Sequence, residues 1–215
     1  MECEAARMRI ESERASCALA HARISIGREI TMAIIYDRQK RIFTLHTAHT
    51  TYQMQADRYG NLLHLYYGPK TMGTMEKSIS YADRGFSGNP YEAGNDRTYS
   101  LDALPQEYPT LGTGDFRGYA LSITDDKGHE GIALHYVNHT VTKGKYHLNG
   151  LPAVYAQDNE AETLCITLRD PYVQAEVLLY YGVLEKEDII TRSVIVKNTG
   201  KKTITVNRLL SACLD

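Results

Sequence analysis

From residue 32 onward the chain repeats one pattern: short runs of alternating apolar and polar residues, each closed by a turn signal. In "RIFTLHT" (41–47), Phe43 and Leu45 alternate with Ile42, Thr44 and His46. "TYQMQA" (51–56) follows, then "NLLHLYYG" (61–68), which stops at Gly68-Pro69. Further along come "YALSIT" (119–124), "GIALHYVNHTVTKG" (131–144), "TLCITLRD" (163–170), "VQAEVLLYYGV" (173–183), "IITRSVIVKN" (189–198) and "KTITVNRLLSA" (202–212). These runs are rich in Val, Ile, Thr and Tyr, which suit a pleated, half-buried surface. No amphipathic helical pattern separates them, which excludes a parallel sheet built from βαβ units. The pattern predicts an all-β fold, a large antiparallel β-sandwich. "DDKG" (125–128) and "NTGKK" (198–202) read as hairpin turns.

Residues 1–31 do not share this pattern. They hold five Arg, no Lys and no Tyr, and all sixteen tyrosines of the chain come later. Ala, Arg and Glu favour a short helix here. The segment lacks the uninterrupted apolar core of a secretory signal. We therefore expect residues 1–31 to be an upstream extension and residues 32–215 to form the sandwich domain. The final "LLSACLD" ends where a strand ends. A sandwich closed there would expose an edge, so the domain is expected to be incomplete at its C-terminus and the chain to be part of a longer polypeptide.

Composition narrows the function. A formal net charge of −2 leaves no electrostatic footprint for nucleic acid. No apolar run reaches the roughly 18–20 residues of a membrane span. The four cysteines, at 3, 17, 165 and 213, have no metal-ligand spacing, so a reduced, cytoplasmic setting without cofactor or metal is expected. His135 and His139 would share one helix face. On a strand, however, four residues span roughly 13 Å, so the pair reads as solvent-facing strand histidines. "TDDKGHEGI" lacks the spaced oxygen ligands of a calcium loop. "GTGDFRG" lacks dinucleotide-fingerprint spacing. No nucleophile elbow or Cys/His signature is present.

The exception to the strand pattern is the long stretch 81–118. It holds three of the six prolines and six of the sixteen glycines, together with Asp83, Arg84, Asp96, Arg97, Asp102, Glu107, Asp115 and Arg117. A connection this long is functional or disordered more often than not. Its carboxylates are candidates for the paired acids of glycoside cleavage, but acids in Gly/Pro-rich loops more often cap turns. Recognition fits the composition better. Asp83 and Arg84 supply hydroxyl acceptors and donors, and Phe86 an apolar platform, the mixture that a polar ring ligand requires. The alternative is that Asp83 and Arg84 brace the loop's own backbone.

Several ordered blocks carry a family resemblance: "TTYQMQADRYGNLLHLYYG", "DRGFSGNPY", "DRTYSLDALPQEYPTLGTGDFR" and "LRDPYVQAEVLLYYGVLEKEDIITRSVIVKNTG". From Met32 to Asp215 the chain resembles the N-terminal domain of bacterial family 36 glycoside hydrolases, the α-galactosidases. The resemblance implies a β-supersandwich ahead of a (β/α)8 catalytic barrel. It implies a retaining hydrolase of terminal α-galactosides such as melibiose and raffinose, with both catalytic aspartates on the barrel and none in this sequence. It implies a homo-oligomer, commonly a tetramer, in which an N-terminal-domain loop reaches a neighbouring subunit's substrate entrance. The matching positions are Asp83, Arg84 and Phe86. The competing reading is a stand-alone carbohydrate-binding sandwich without hydrolytic activity.

Overall fold

The computed structural model describes residues 33–83, 85 and 89–213. The helix expected within 1–31, and the division at residue 31, lie outside the described residues.

The fold is an antiparallel β-sandwich, as the alternation requires. The first sheet is a meander of β1 (Ile34–Asp37), β2 (Ile42–His46), β3 (Thr50–Ala56) and β4 (Leu62–Pro69). The opposing sheet is a second meander of β6 (His135–Lys143), β7 (Glu162–Asp170), β8 (Ala175–Leu184) and β9 (Ile189–Asn198). Between the meanders in sequence lies β5 (Leu121–Thr124), which pairs antiparallel with the last described strand, β10 (Thr205–Leu209). "NTGKK" therefore makes no hairpin. It carries the chain from β9 across to β10, whose partner is β5. "DDKG" does turn the chain back, bringing Glu130 opposite Thr124, and Asp125 Oδ1 accepts from the backbone N–H groups of Lys127 and His129.

Every second residue of the central strands enters one core. Phe43, Leu45 and Met54 come from the first sheet, Leu121 and Ile123 from β5, and Leu164, Ile166, Val177, Leu179 and Val183 from the opposing sheet. Each such side chain, fully buried, contributes about 1.5–3 kcal/mol by leaving water. β8 sits centrally in its sheet, paired along its length with both β7 and β9, which explains its near-continuous burial.

Strand β6 departs from the expected alternation. Its register with β7 shifts between Tyr136 and Asn138, so Tyr136 faces Leu168 and His139 faces Ile166. The bulge inserts one residue and reverses the phase beyond it. His139 is consequently not the solvent-facing strand histidine expected. Its ring meets Tyr36 at 4.2 Å and Phe43 at 4.8 Å, and Nδ1 lies 2.7 Å from the Tyr136 hydroxyl. Burial lowers its basicity, with the Arg38 charge adding to the effect. His135 stays on the far side of the bulge, against the Tyr59 carbonyl.

Candidate functional site

The stretch 81–118 is neither a linker nor structureless where it is described. Residues 105–107 lie against the edge of β4. His64 N–H donates to the Pro105 carbonyl at 2.8 Å, and Glu107 N–H to the Leu62 carbonyl at 2.9 Å. This covers a sheet edge that would otherwise be open. Farther on, Ala120 N–H reaches the Pro109 carbonyl and Leu111 N–H the Leu121 carbonyl, tying the same segment to β5. Tyr99, Leu101, Leu104 and Ala93 form a second small core with Leu63 of β4.

Tyr99 anchors the loop's middle. It is fully buried, donates to Asp57 Oδ2 and accepts from Asn61 Nδ2 at 2.7 Å. Asp57 Oδ1 also caps the β3–β4 turn by accepting from the N–H groups of Tyr59 and Asn61. Burial, together with the hydrogen bond to Asp57, pushes the Tyr99 hydroxyl well above the ordinary phenol range. Tyr81 stacks on Tyr99 with ring centres 6.2 Å apart, which fixes where the loop begins.

The loop acids divide into saturated and open groups. Glu107 is wholly buried at the junction of the two large sheets. The Tyr52 hydroxyl donates to both its oxygens, at 2.8 and 2.7 Å, and the Tyr181 hydroxyl to Oε1 at 2.8 Å. His64 Nδ1 lies 3.1 Å from Oε2, and the Arg192 guanidinium is 2.9 Å from Oε1. Arg192 also packs over the Tyr181 ring, 4.9 Å from its centre. Burial alone would raise the Glu107 carboxyl. The His64 hydrogen bond, the Arg192 charge and the Tyr52 hydroxyl outweigh it and hold the group below its ordinary value. Asp115 is likewise buried and enclosed. Arg117 binds it through Nε at 2.9 Å and a terminal nitrogen at 2.8 Å, and Gln106 donates at 2.8 Å. Asp96 is taken by Arg58 and by Thr98, and Asp102 by Ser100. With every oxygen of Glu107 engaged by donors, and Asp115 locked to Arg117, neither is placed to act as a general acid or nucleophile.

Asp83 differs. Its side chain is half exposed. Oδ1 accepts the Gly85 N–H at 2.8 Å and faces Arg97 at 3.3 Å, while Oδ2 carries no hydrogen bond among the described residues. Arg97 also donates to the Gly85 carbonyl at 3.2 Å. The geometry carries the bracing reading: Oδ1 braces a tight turn at Gly85, whose φ is +74°, on a side chain that is half exposed. Arg84 and Phe86 lie outside the described residues. Arg97 was not singled out from sequence, and the "NDRTYS" context offers no signal that its partner is fourteen residues earlier. The Glu107 cluster did leave a signal. In "IITRSVIVKN", Arg192 occupies the inward phase shared by Ile190, Val194 and Val196, and a charge in a core phase requires a buried partner.

Among the described residues no group of three or more His, Cys, Asp or Glu is placed to hold a metal ion. Cys165 and Cys213 are free thiols. No described helix is long and apolar enough to cross a membrane.

Fold and site together define an antiparallel sandwich domain in which the loop between β4 and β5 is packed at its base and carries an acid–arginine pair at the surface. Residues 60–215 match the glycosyl hydrolase family 36 N-terminal domain, and the chain belongs to that family. It is 62% identical over 184 residues to the bifunctional α-galactosidase/sucrose kinase AgaSK of Mediterraneibacter gnavus, covering 86% of this chain and 20% of the relative. It is 40% identical over 186 residues to the α-galactosidase AgaA of Geobacillus stearothermophilus, covering 86% of this chain and 25% of that protein. The solved galactosidase domain of AgaSK superposes with a TM-score of 0.83 at 62% identity over 85% of this chain and 25% of that one. A variant of Geobacillus AgaA solved in complex with raffinose superposes with a TM-score of 0.76 at 40% identity, over 80% of this chain and 24% of that one. The chain therefore spans about a fifth to a quarter of the length of these relatives.

Proposed function

We propose that this chain is the non-catalytic N-terminal portion of a retaining α-galactosidase, a hydrolase of terminal α-galactosides such as melibiose and raffinose. Residues 32–215 act in assembly and in shaping the substrate pocket, and residues 1–31 are an upstream extension. The protein works as a homo-oligomer, a tetramer, in the cytoplasm. Its loop at Asp83, Arg84 and Phe86 meets the sugar at a neighbouring subunit's entrance. What supports the site reading is the half-exposed side chain of Asp83, anchored through Oδ1. A half-exposed carboxylate held by a tight turn and an arginine is pre-positioned to accept from a sugar hydroxyl. The family membership supports the class of reaction, and the α-galactosidase relatives support the bond cleaved.

The test is hydrolysis by the full-length protein that carries this domain. It should release galactose from melibiose and raffinose, and the first-formed sugar, followed by NMR, should be the α-anomer. The 215-residue chain alone should give no turnover of a nitrophenyl α-galactoside. Release of the β-anomer, or no release at all, would contradict the reading. Turnover by the isolated chain would contradict its non-catalytic part.

A further inference from the structure

Away from Asp83, the loop and the start of β6 enclose a cavity of about 350 Å³, within the range that holds small organic ligands. Three separate segments wall it, with Asn61 beside them. One is the 3-10 turn Tyr91–Ala93 with the preceding Asn89 and Pro90. The second is the glycine-flanked Thr113, and the third is Ala133 with His135 at the head of β6. The floor is Leu101, which is buried. The glycine wall is fixed by close packing. Gly112 has φ +101°, and a Cβ there would fall 2.8 Å from the Gly131 Cα.

His135 Nδ1 lies 3.2 Å from the Tyr59 carbonyl and donates to it, which leaves Nε2 for the cavity. Glu92 Oε1 stands 3.8 Å from Nε2, beyond hydrogen-bond reach, and Glu92 has no other partner among the described residues. The Thr113 hydroxyl gives its hydrogen to the Thr110 carbonyl at 3.2 Å, which leaves its oxygen lone pairs. Asn89 donates one amide hydrogen to the Asp96 carbonyl at 2.7 Å, which leaves its second N–H and its oxygen. The remaining capacity mixes acceptors (the Glu92 carboxylate, the Thr113 hydroxyl oxygen, the amide oxygens) with spare amide N–H groups of Asn89 and Asn61, spread over three walls, beside an apolar floor and the exposed Tyr91 ring at the rim. Such a site suits a ligand whose groups both donate and accept. Two nitrogen and oxygen ligands are too few for a metal, and a compact ammonium would reach only one of the walls. A ring bearing several hydroxyls meets all three, with its C–H face on the aromatic rim.

We propose that this cavity is an accessory binding site for a neutral polyol of monosaccharide size, with the Glu92 carboxylate accepting from its hydroxyls and His135 Nε2 facing them. It is a second site, separate from the one built on Asp83, and it does not depend on the hydrolytic reading. The test is hydrogen–deuterium exchange on the full-length protein with D-galactose, myo-inositol and ethanolamine as probes. Galactose, myo-inositol or both should slow exchange in peptides covering 89–95 and 111–116. Glu92→Ala with His135→Ala should abolish this protection, and Glu92→Gln, which keeps the shape, should weaken the apparent affinity at least about tenfold. Asp83→Ala should leave it intact. Absence of protection by either polyol, or protection by ethanolamine alone, would overturn the proposal. So would protection that survives the Glu92 and His135 changes, or that disappears with Asp83→Ala.

Discussion

Two of the loop's carboxylates pair with arginines in opposite situations: Glu107 with Arg192 of β9, and Asp83 with Arg97 of the loop. Glu107 and Arg192 meet in the dry centre of the sandwich, with tyrosines and a histidine completing every valence. Asp83 and Arg97 meet at the surface, with one carboxylate oxygen committed to a turn on a side chain that is half exposed. A buried charge that is fully bonded specifies how the sheets meet but has nothing left with which to bind. A surface pair contributes little to stability and retains capacity for a ligand. The comparison separates the part of the loop that builds the domain from the part available for recognition.

Breaking the first pair should have the largest effect. Glu107→Ala leaves Arg192 buried without its counter-charge and should destabilise the domain by about 3–5 kcal/mol in denaturant unfolding. Replacing both together, Glu107→Leu with Arg192→Met, should recover much of that loss, because two apolar residues leave no orphan charge. If the double change is as damaging as the single one, the cost lies in packing or in the orphaned tyrosine hydroxyls and not in the unpaired charge. Next in size is Tyr99→Phe, which removes the buried donor to Asp57. Calorimetry should show a loss of about 1–3 kcal/mol, without change in the strand content seen by circular dichroism.

Acid should act through the same buried pair. The folded-state carboxyl of Glu107 sits below its ordinary value of 4.5, so the folded state binds its proton less readily than the unfolded chain. Its contribution to stability is complete above the unfolded value and fades as pH falls through the folded one. Denaturant midpoints should therefore drop more steeply below about pH 4.5 in the native protein than in the Leu/Met double variant. Equal acid slopes in the two proteins would remove Glu107 from the account.

Much of this architecture is legible in the sequence. β7 alternates and β8 reads as the near-continuous apolar run of a central strand, and their turn residues fall where the ladders end, so local propensity and tertiary burial agree. Three features were hidden for identifiable reasons. The β6 bulge adds one residue without any glycine or proline to mark it, so an unbroken alternation through Val137 puts His139 on the wrong face. "NTGKK" has hairpin chemistry, but pairing is decided by which sheet edge is free, and that is a long-range property. The loop's packing rests on Tyr99, Leu101 and Leu104, whose spacing has no helical or strand period and so gives no pattern signal. Of the candidate site, Asp83 could be read as both brace and acceptor from its turn chemistry. Its pairing with Arg97 depends on how the loop folds back, which neighbouring residues do not encode.

The second pair gives the smallest effect on stability and the most informative one on function. Asp83 is exposed and makes only turn and surface contacts, so Asp83→Ala should shift unfolding by less than about 0.5 kcal/mol. The central claim is that this carboxylate serves a sugar and not the fold. It is tested most directly by the kinetics of the Asp83→Ala full-length protein on raffinose, measured beside its thermal midpoint. The account predicts a fall in kcat/KM of about 5- to 150-fold, equivalent to about 1–3 kcal/mol for one charged hydrogen bond, with the midpoint unchanged. An unchanged kcat/KM, or a fall matched by loss of folded protein, would contradict it.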